Sequence, residues 1–92
     1  MSAKRDARLK ALAEEYSIEF EFLELAVDEG AVSEEELERE DRAAEQARLR
    51  RLQRLCRSLD IDAYAGAIIV DLLERLEETR RELERRRPGA EG

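Results

Sequence analysis

Carboxylates dominate the side chains here that could do chemistry. The chain has 24 Asp and Glu, a single cysteine (Cys56) and no histidine. Without imidazole no Cys–His or Ser–His nucleophile can form, and zinc lacks its nitrogen ligand. Paired carboxylates can act as acid and base in glycoside hydrolysis. In a chain this rich in charge such pairs recur throughout and single out no site. The run Glu34–Asp41 lacks the alternating Asp/Asn and the glycine of a calcium loop, so it reads as a solvated helix face. No glycine-rich phosphate loop is present. Cys56 lies among leucines at helical spacing and reads as a buried, inert thiol, the alternative being a reactive or intermolecular one. No enzyme, cofactor or metal is expected.

The elements that would position these residues are helices. Charged residues make up 45% of the 92 and aromatics 4%, a composition of long helices and coiled coils. A chain of this length supports one marginal core, which dimerisation would help. Leu9, Leu12 and Tyr16 share a face of a first helix over about 4–15. Ser17 is placed to cap a second, from Ile18 to about Glu29, with Ile18, Phe22, Leu25 and Glu29 as one stripe and Gly30 as its C-terminal stop. Residues 18–22 also alternate as a short strand would; helix is preferred because the pattern changes at Leu23. Ala31-Val32 would follow as a small extended piece. Ser33 and Glu36 form a capping box for a helix ending near Glu40-Asp41, and Asp41 can cap the next.

Residues 42–59 read as helix, with Leu49, Leu52, Cys56 and Leu59 at heptad positions. After a hinge at 60–62, capped by Asp60 or Asp62, a last helix runs over 63–87. Ala65, Ile69, Leu72, Leu76, Thr79 and Leu83 repeat along it at alternating four and three. Asp71–Arg75, Glu77–Arg81 and Glu82–Arg86 are i, i+4 pairs. Gly66 is expected to allow close packing against the 49–59 helix. Pro88-Gly89 end the helix, and 88–92 are expected to be disordered.

The fold class is therefore all-α. A helix-turn-helix part (1–41) and an antiparallel helical hairpin (42–87) form one domain, whose last helix carries a coiled-coil seam. Charge is blocked along it: net −10 over 17–41, +5 over 42–59 and −5 over 60–78. Such blocks suit helices that pair across the fold, or an acidic face offered to a partner. The overall charge of −7 argues against phosphate binding. No signal-peptide core or membrane-length apolar run occurs, which points to a reduced, cytoplasmic protein.

Residues 50–59 (Arg-Arg-Leu-Gln-Arg-Leu-Cys-Arg-Ser-Leu) and the phrase Leu59-Asp60-Ile61-Asp62-Ala63-Tyr64-Ala65-Gly66, then Ile69-Val70-Asp71-Leu72-Leu73, resemble the second half of MerR-like regulators. The likeness is greatest to their heat-shock-linked branch and to the CbpM-type chaperone modulators, and covers about 47–87. Those families carry Leu-Gly-[Val/Ile]-Asn-Leu-Ala-Gly at the corresponding phrase. The first half is similar in plan only. A DNA-binding member would offer arginine and aromatics on its second helix and a basic wing. This chain has Glu19, Glu21, Glu24, Asp28 and Glu29 there, then Glu34–Asp41.

The resemblance implies a partner, the J-domain of a DnaJ/CbpA-type cochaperone. Its basic second helix would meet this acidic surface, and DnaK would be blocked. Expected partner-binding residues are Glu19, Phe20 as an exposed anchor, Glu21, Glu24, Asp28 and Glu29. The bland alternative is that the glutamates only solubilise a helix and Phe20 is core. Leu76, Thr79 and Leu83 are expected to dimerise the chain. The other readings are a MerR-like DNA-binding transcriptional regulator and a structural helical dimer or adaptor.

Overall fold

The first helix, α1, ends where its backbone can no longer continue. In this computed structural model, which describes residues 3–86, α1 spans Ala3–Tyr16. Ser17 is left-handed (φ 57), and the amides of Ser17 and Ile18 donate back to the carbonyls of Glu14 and Ala13. That pair of bonds closes the helix end. Ser17 therefore terminates α1 and does not cap α2, as its side chain would have to. α2 is Phe20–Asp28, two residues shorter at its start than expected, and Glu19 at its cap position makes no side-chain cap bond. The strand alternative for 18–22 is set aside, since helix begins at Phe20.

Gly30 (φ 79) closes α2 the same way, with Gly30 and Ala31 amides donating to Val27 and Ala26. Ala31 and Val32 are not a strand. They form bends buried in the core, where their apolar side chains seal the chain between α2 and α3. The capping box at Ser33–Glu36 is present, but α3 is a single turn, Glu34–Leu37. Buried Leu37 anchors it, and the residues after it are exposed, with no apolar side chain to hold another turn against the core.

α4 spans Arg42–Leu59 and is capped by Asp41 Oδ1 on the Ala44 amide at 3.2 Å. α5 spans Ala63–Arg86. Asp62, not Asp60, caps it, with Oδ1 2.7 Å from the Ala65 amide. The expected end at Arg87, the stop at Pro88-Gly89 and the disordered tail lie outside the described residues. Asp60 instead is left-handed (φ 55), and the amides of Asp60 and Ile61 return to the Cys56 carbonyl. A side chain in that conformation costs about 1 kcal/mol, only partly relieved for aspartate. Asp60→Gly is thus expected to stabilise the chain by about 0.5–1 kcal/mol, read as a raised urea midpoint. A lowered midpoint would mean that the aspartate side chain contributes more than the strain removes.

One continuous core joins both halves: Leu9, Leu12, Tyr16 and Leu23 meet Leu37, Leu49, Leu52 and Val70. Tyr16 is fully buried, and its hydroxyl donates to the Leu37 carbonyl at 2.6 Å, tying α1 to α3. Burial raises its pKa. Gly66 lies against α4: a Cβ there would sit 2.5 Å from Cys56 Sγ and 2.9 Å from Leu52 Cδ1. Cys56 is buried as expected, and burial raises its thiol pKa.

Two sequence expectations fail on the long helices. Leu59 is 54% exposed, because α4 ends there and the chain turns away. Of the three i, i+4 pairs only Glu82–Arg86 forms, at 3.3 Å. Asp71 instead meets Arg48 at 2.9 Å and Glu77 meets Arg51 at 2.9 Å, so the acidic block of α5 pairs with the basic block of α4. The Arg51 hydrogen bond holds the Glu77 carboxyl below its usual range. Glu45 behaves oppositely: burial raises its pKa, and its Oε2 is buried without a hydrogen-bond partner.

Candidate functional site

α2 presents to solvent the face opposite Leu23 and Ala26, the two residues it buries most deeply. On that outer side lie Glu21, Glu24, Leu25 and Asp28, and α2 contains no basic residue. The structure divides the expected acidic set by what each carboxylate already does. Glu19 forms an ion pair with Arg57, and its amide donates to Gln53 Oε1 at 3.1 Å. Asp28 meets Arg5 Nη2 at 2.6 Å. Glu29 Oε1 accepts the Tyr64 amide at 3.1 Å and so serves as a second cap on α5. These three tie α2 to α4, α1 and α5. Glu21 and Glu24 form no ion pair among the described residues.

Phe20 is not an exposed anchor. It is half-buried and packs on the core, with Lys10 Nζ 5.6 Å from its ring centroid. It sits three residues before buried Leu23, which draws it onto the inner edge of the helix. The apolar side chain exposed on α2 is Leu25, at 47%. It follows Glu21 by four residues and precedes Asp28 by three, so carboxylates flank it on the helix surface. The sequence placed Leu25 on one stripe with Ile18, Phe22 and Glu29. Its flanking acids at helical spacing were the signal that could have placed it outside.

The acidic run after α2 is also partly engaged. Glu34 meets Arg5 and Arg8, and Glu36 serves the capping box. Among the described residues no group of three or more Cys, His, Asp or Glu is arranged to hold a metal ion. No described helix is long and apolar enough to cross a membrane.

α5 carries two apolar faces. Ala63, Gly66, Ala67 and Val70 are buried. Half a turn round the helix, Leu72, Leu76 and Leu83 are 56%, 51% and 64% exposed, and Thr79 is exposed between them. Exposed Tyr64 and Ile68 extend this face toward the hinge. Arg75, Glu78, Glu82 and Arg86 surround Thr79 and Leu83 on this open face of α5. The structure thus brings Leu76, Thr79 and Leu83 onto one open face, remote in sequence from the acidic face of α2.

A family model described as MerR HTH family regulatory protein matches residues 8–87, from the middle of α1 through α5. No curated protein matches the chain. No solved structure does either.

Proposed function

The chain belongs to the MerR HTH family of regulatory proteins, and from that membership we propose that it is a non-catalytic regulator acting by protein contact. Its partner is the J-domain of a DnaJ-type cochaperone, and occupancy of that domain excludes DnaK. The observation that carries this reading is the charge of α2. Where a reader of DNA would set cations toward phosphate, α2 sets Glu21 and Glu24, with exposed Leu25 beside them as an apolar contact. Phosphate is repelled by that surface, whereas a basic helix is attracted to it. The resemblance of residues 47–87 to the CbpM-type modulators supports the choice of partner. A second copy of the chain covers the outer face of α5, so the working unit is a dimer.

Calorimetric titration of the chain against its host's J-domain tests this. Glu21→Lys with Glu24→Lys is expected to weaken binding by about 1–3 kcal/mol, roughly tenfold to a hundredfold, with an unchanged circular-dichroism spectrum. Unaltered affinity would remove α2 as the contact surface. The family description is equally consistent with a second reading, regulation through DNA. Retardation of a specific duplex at physiological salt, with no J-domain binding, would replace the first reading with it.

A further inference from the structure

The first turn of α4 carries a carboxylate that no donor holds. Glu45 is half-buried, and its Oε2 is closed to solvent without a hydrogen-bond partner. Three other elements bring groups toward it. α1 brings Tyr16, whose hydroxyl is committed to the Leu37 carbonyl at 2.6 Å. α3 brings Glu36 and, just after it, Arg39; α5 brings Glu74. Arg48 faces Glu45 from α4 itself, one turn on. Glu36 is fixed by the capping box, where it accepts the Ser33 amide at 2.9 Å. Arg48 donates to Asp71 at 2.9 Å, and its Nε stands 4.0 Å from Glu74. Its Nη1 is buried and, like Glu45 Oε2, has no partner. Arg39 is exposed to water. A helix start favours a carboxylate, but Asp41 already fills that role at the Ala44 amide.

We propose that Glu45 is a proton-linked latch where α1, α3 and α5 meet on α4: neutral, it closes the joint, and ionised, it loosens the single turn of α3. The cause is charge in a confined place. An ionised Glu45 would be partly out of water, without a donor, and close to the carboxylates of Glu36 and Glu74. Burial is the largest influence and favours the proton; Arg48 and Arg39 oppose it, and Glu36 and Glu74 add to it. α3 yields first because the one turn Glu34–Leu37 is all that it has. A carboxyl that holds its proton more tightly in the folded chain contributes stability below its ordinary, unfolded pKa. That contribution is lost as pH rises through the higher folded one. Acid therefore tightens this joint, and neutral pH relaxes it. The rival arrangement turns Glu45 Oε2 onto Arg48 Nη1 and reverses the sign. The latch uses neither α2 nor the outer face of α5, so it is independent of the J-domain reading.

The test is a pH titration of the isotope-labelled full chain, with the Glu45 side-chain carboxyl carbon followed by NMR. Its midpoint is expected above the ordinary carboxylate range. Glu74→Gln is expected to lower that midpoint, because it removes a repelling neighbour and frees Arg48. The Leu37 amide signal is expected to move with the Glu45 midpoint in the unaltered chain, and to lose that movement in Glu45→Gln. Urea denaturation between about pH 4 and pH 8 reads the stability of both chains. Their midpoints should converge at the acid end and separate toward neutral pH, with Glu45→Gln the more stable. A Glu45 midpoint within or below the ordinary range would overturn the proposal. So would a Glu45→Gln chain less stable than the unaltered one at neutral pH, as the rival pairing with Arg48 requires, or a Leu37 signal indifferent to Glu45. If Glu45→Gln does not fold, the Glu45 midpoints of the unaltered chain and of Glu74→Gln still decide.

Discussion

Replacing Gly66 by alanine is expected to destabilise the chain by about 1–2 kcal/mol, against the gain that alanine brings to almost any helix. Two effects of opposite sign meet at this residue. Alanine improves helix propensity by about 1 kcal/mol. The added Cβ, however, would lie 2.5 Å from Cys56 Sγ and 2.9 Å from Leu52 Cδ1. Leu52 is fully buried and Cys56 nearly so, and the thiol also contacts the Asp62 carbonyl at 3.5 Å. Neither neighbour can yield without disturbing the hairpin, and overpacking of this kind costs about 1–3 kcal/mol, with the upper part of that range expected here. Urea denaturation measures the net. A double-mutant cycle isolates the cause: Cys56→Ala makes room for the new methyl, so Gly66→Ala should cost much less in that background. If Gly66→Ala stabilises the wild-type protein, the close approach of α5 to α4 is not what this glycine serves.

Glutamate at both Leu76 and Leu83 is expected to leave the protein monomeric while its helicity stays as in the wild type. Both leucines are more than half exposed, so neither is needed to hold α5 against α4. In a two-fold interface each substitution acts twice, so four apolar contacts are lost. At about 1 kcal/mol for each leucine that would become buried, the loss is about 4 kcal/mol, roughly a thousandfold in the dimer dissociation constant. Carboxylates facing one another add repulsion. Sedimentation equilibrium over a range of concentrations reads the change. A wild-type chain that sediments as a monomer at high concentration would overturn the dimer.

These two variants probe opposite faces of one helix, and they mark where the sequence was ambiguous. The heptad Ala65–Leu83 described a genuine apolar stripe, and the small residues Ala63, Gly66 and Ala67 described another. Which stripe faces α4 depends on how closely two backbones can approach. The small residues won because leucines there would hold the helices apart. The larger side chains were left outside.

The five acidic positions of 19–29 were likewise visible as a block. Their division was not, because it depends on residues distant in the chain. Arg5 reaches Asp28 across 23 positions, Arg57 reaches Glu19, and the Tyr64 amide claims Glu29 across 35. Only Glu21 and Glu24 remain, with Leu25 in place of Phe20.

What the sequence determined by itself is local. The capping box at Ser33, the Asp41 cap, the Gly30 stop and the bounds of α4 each rest on bonds spanning at most five residues. Side chain and backbone therefore settle them without help from the rest of the fold. What tertiary structure alone decided is allocation: which apolar face is core, and which charges are spent inside the molecule. Ion pairs and packing faces are chosen by competition among elements far apart in the chain, and periodicity along one helix carries no record of the winner.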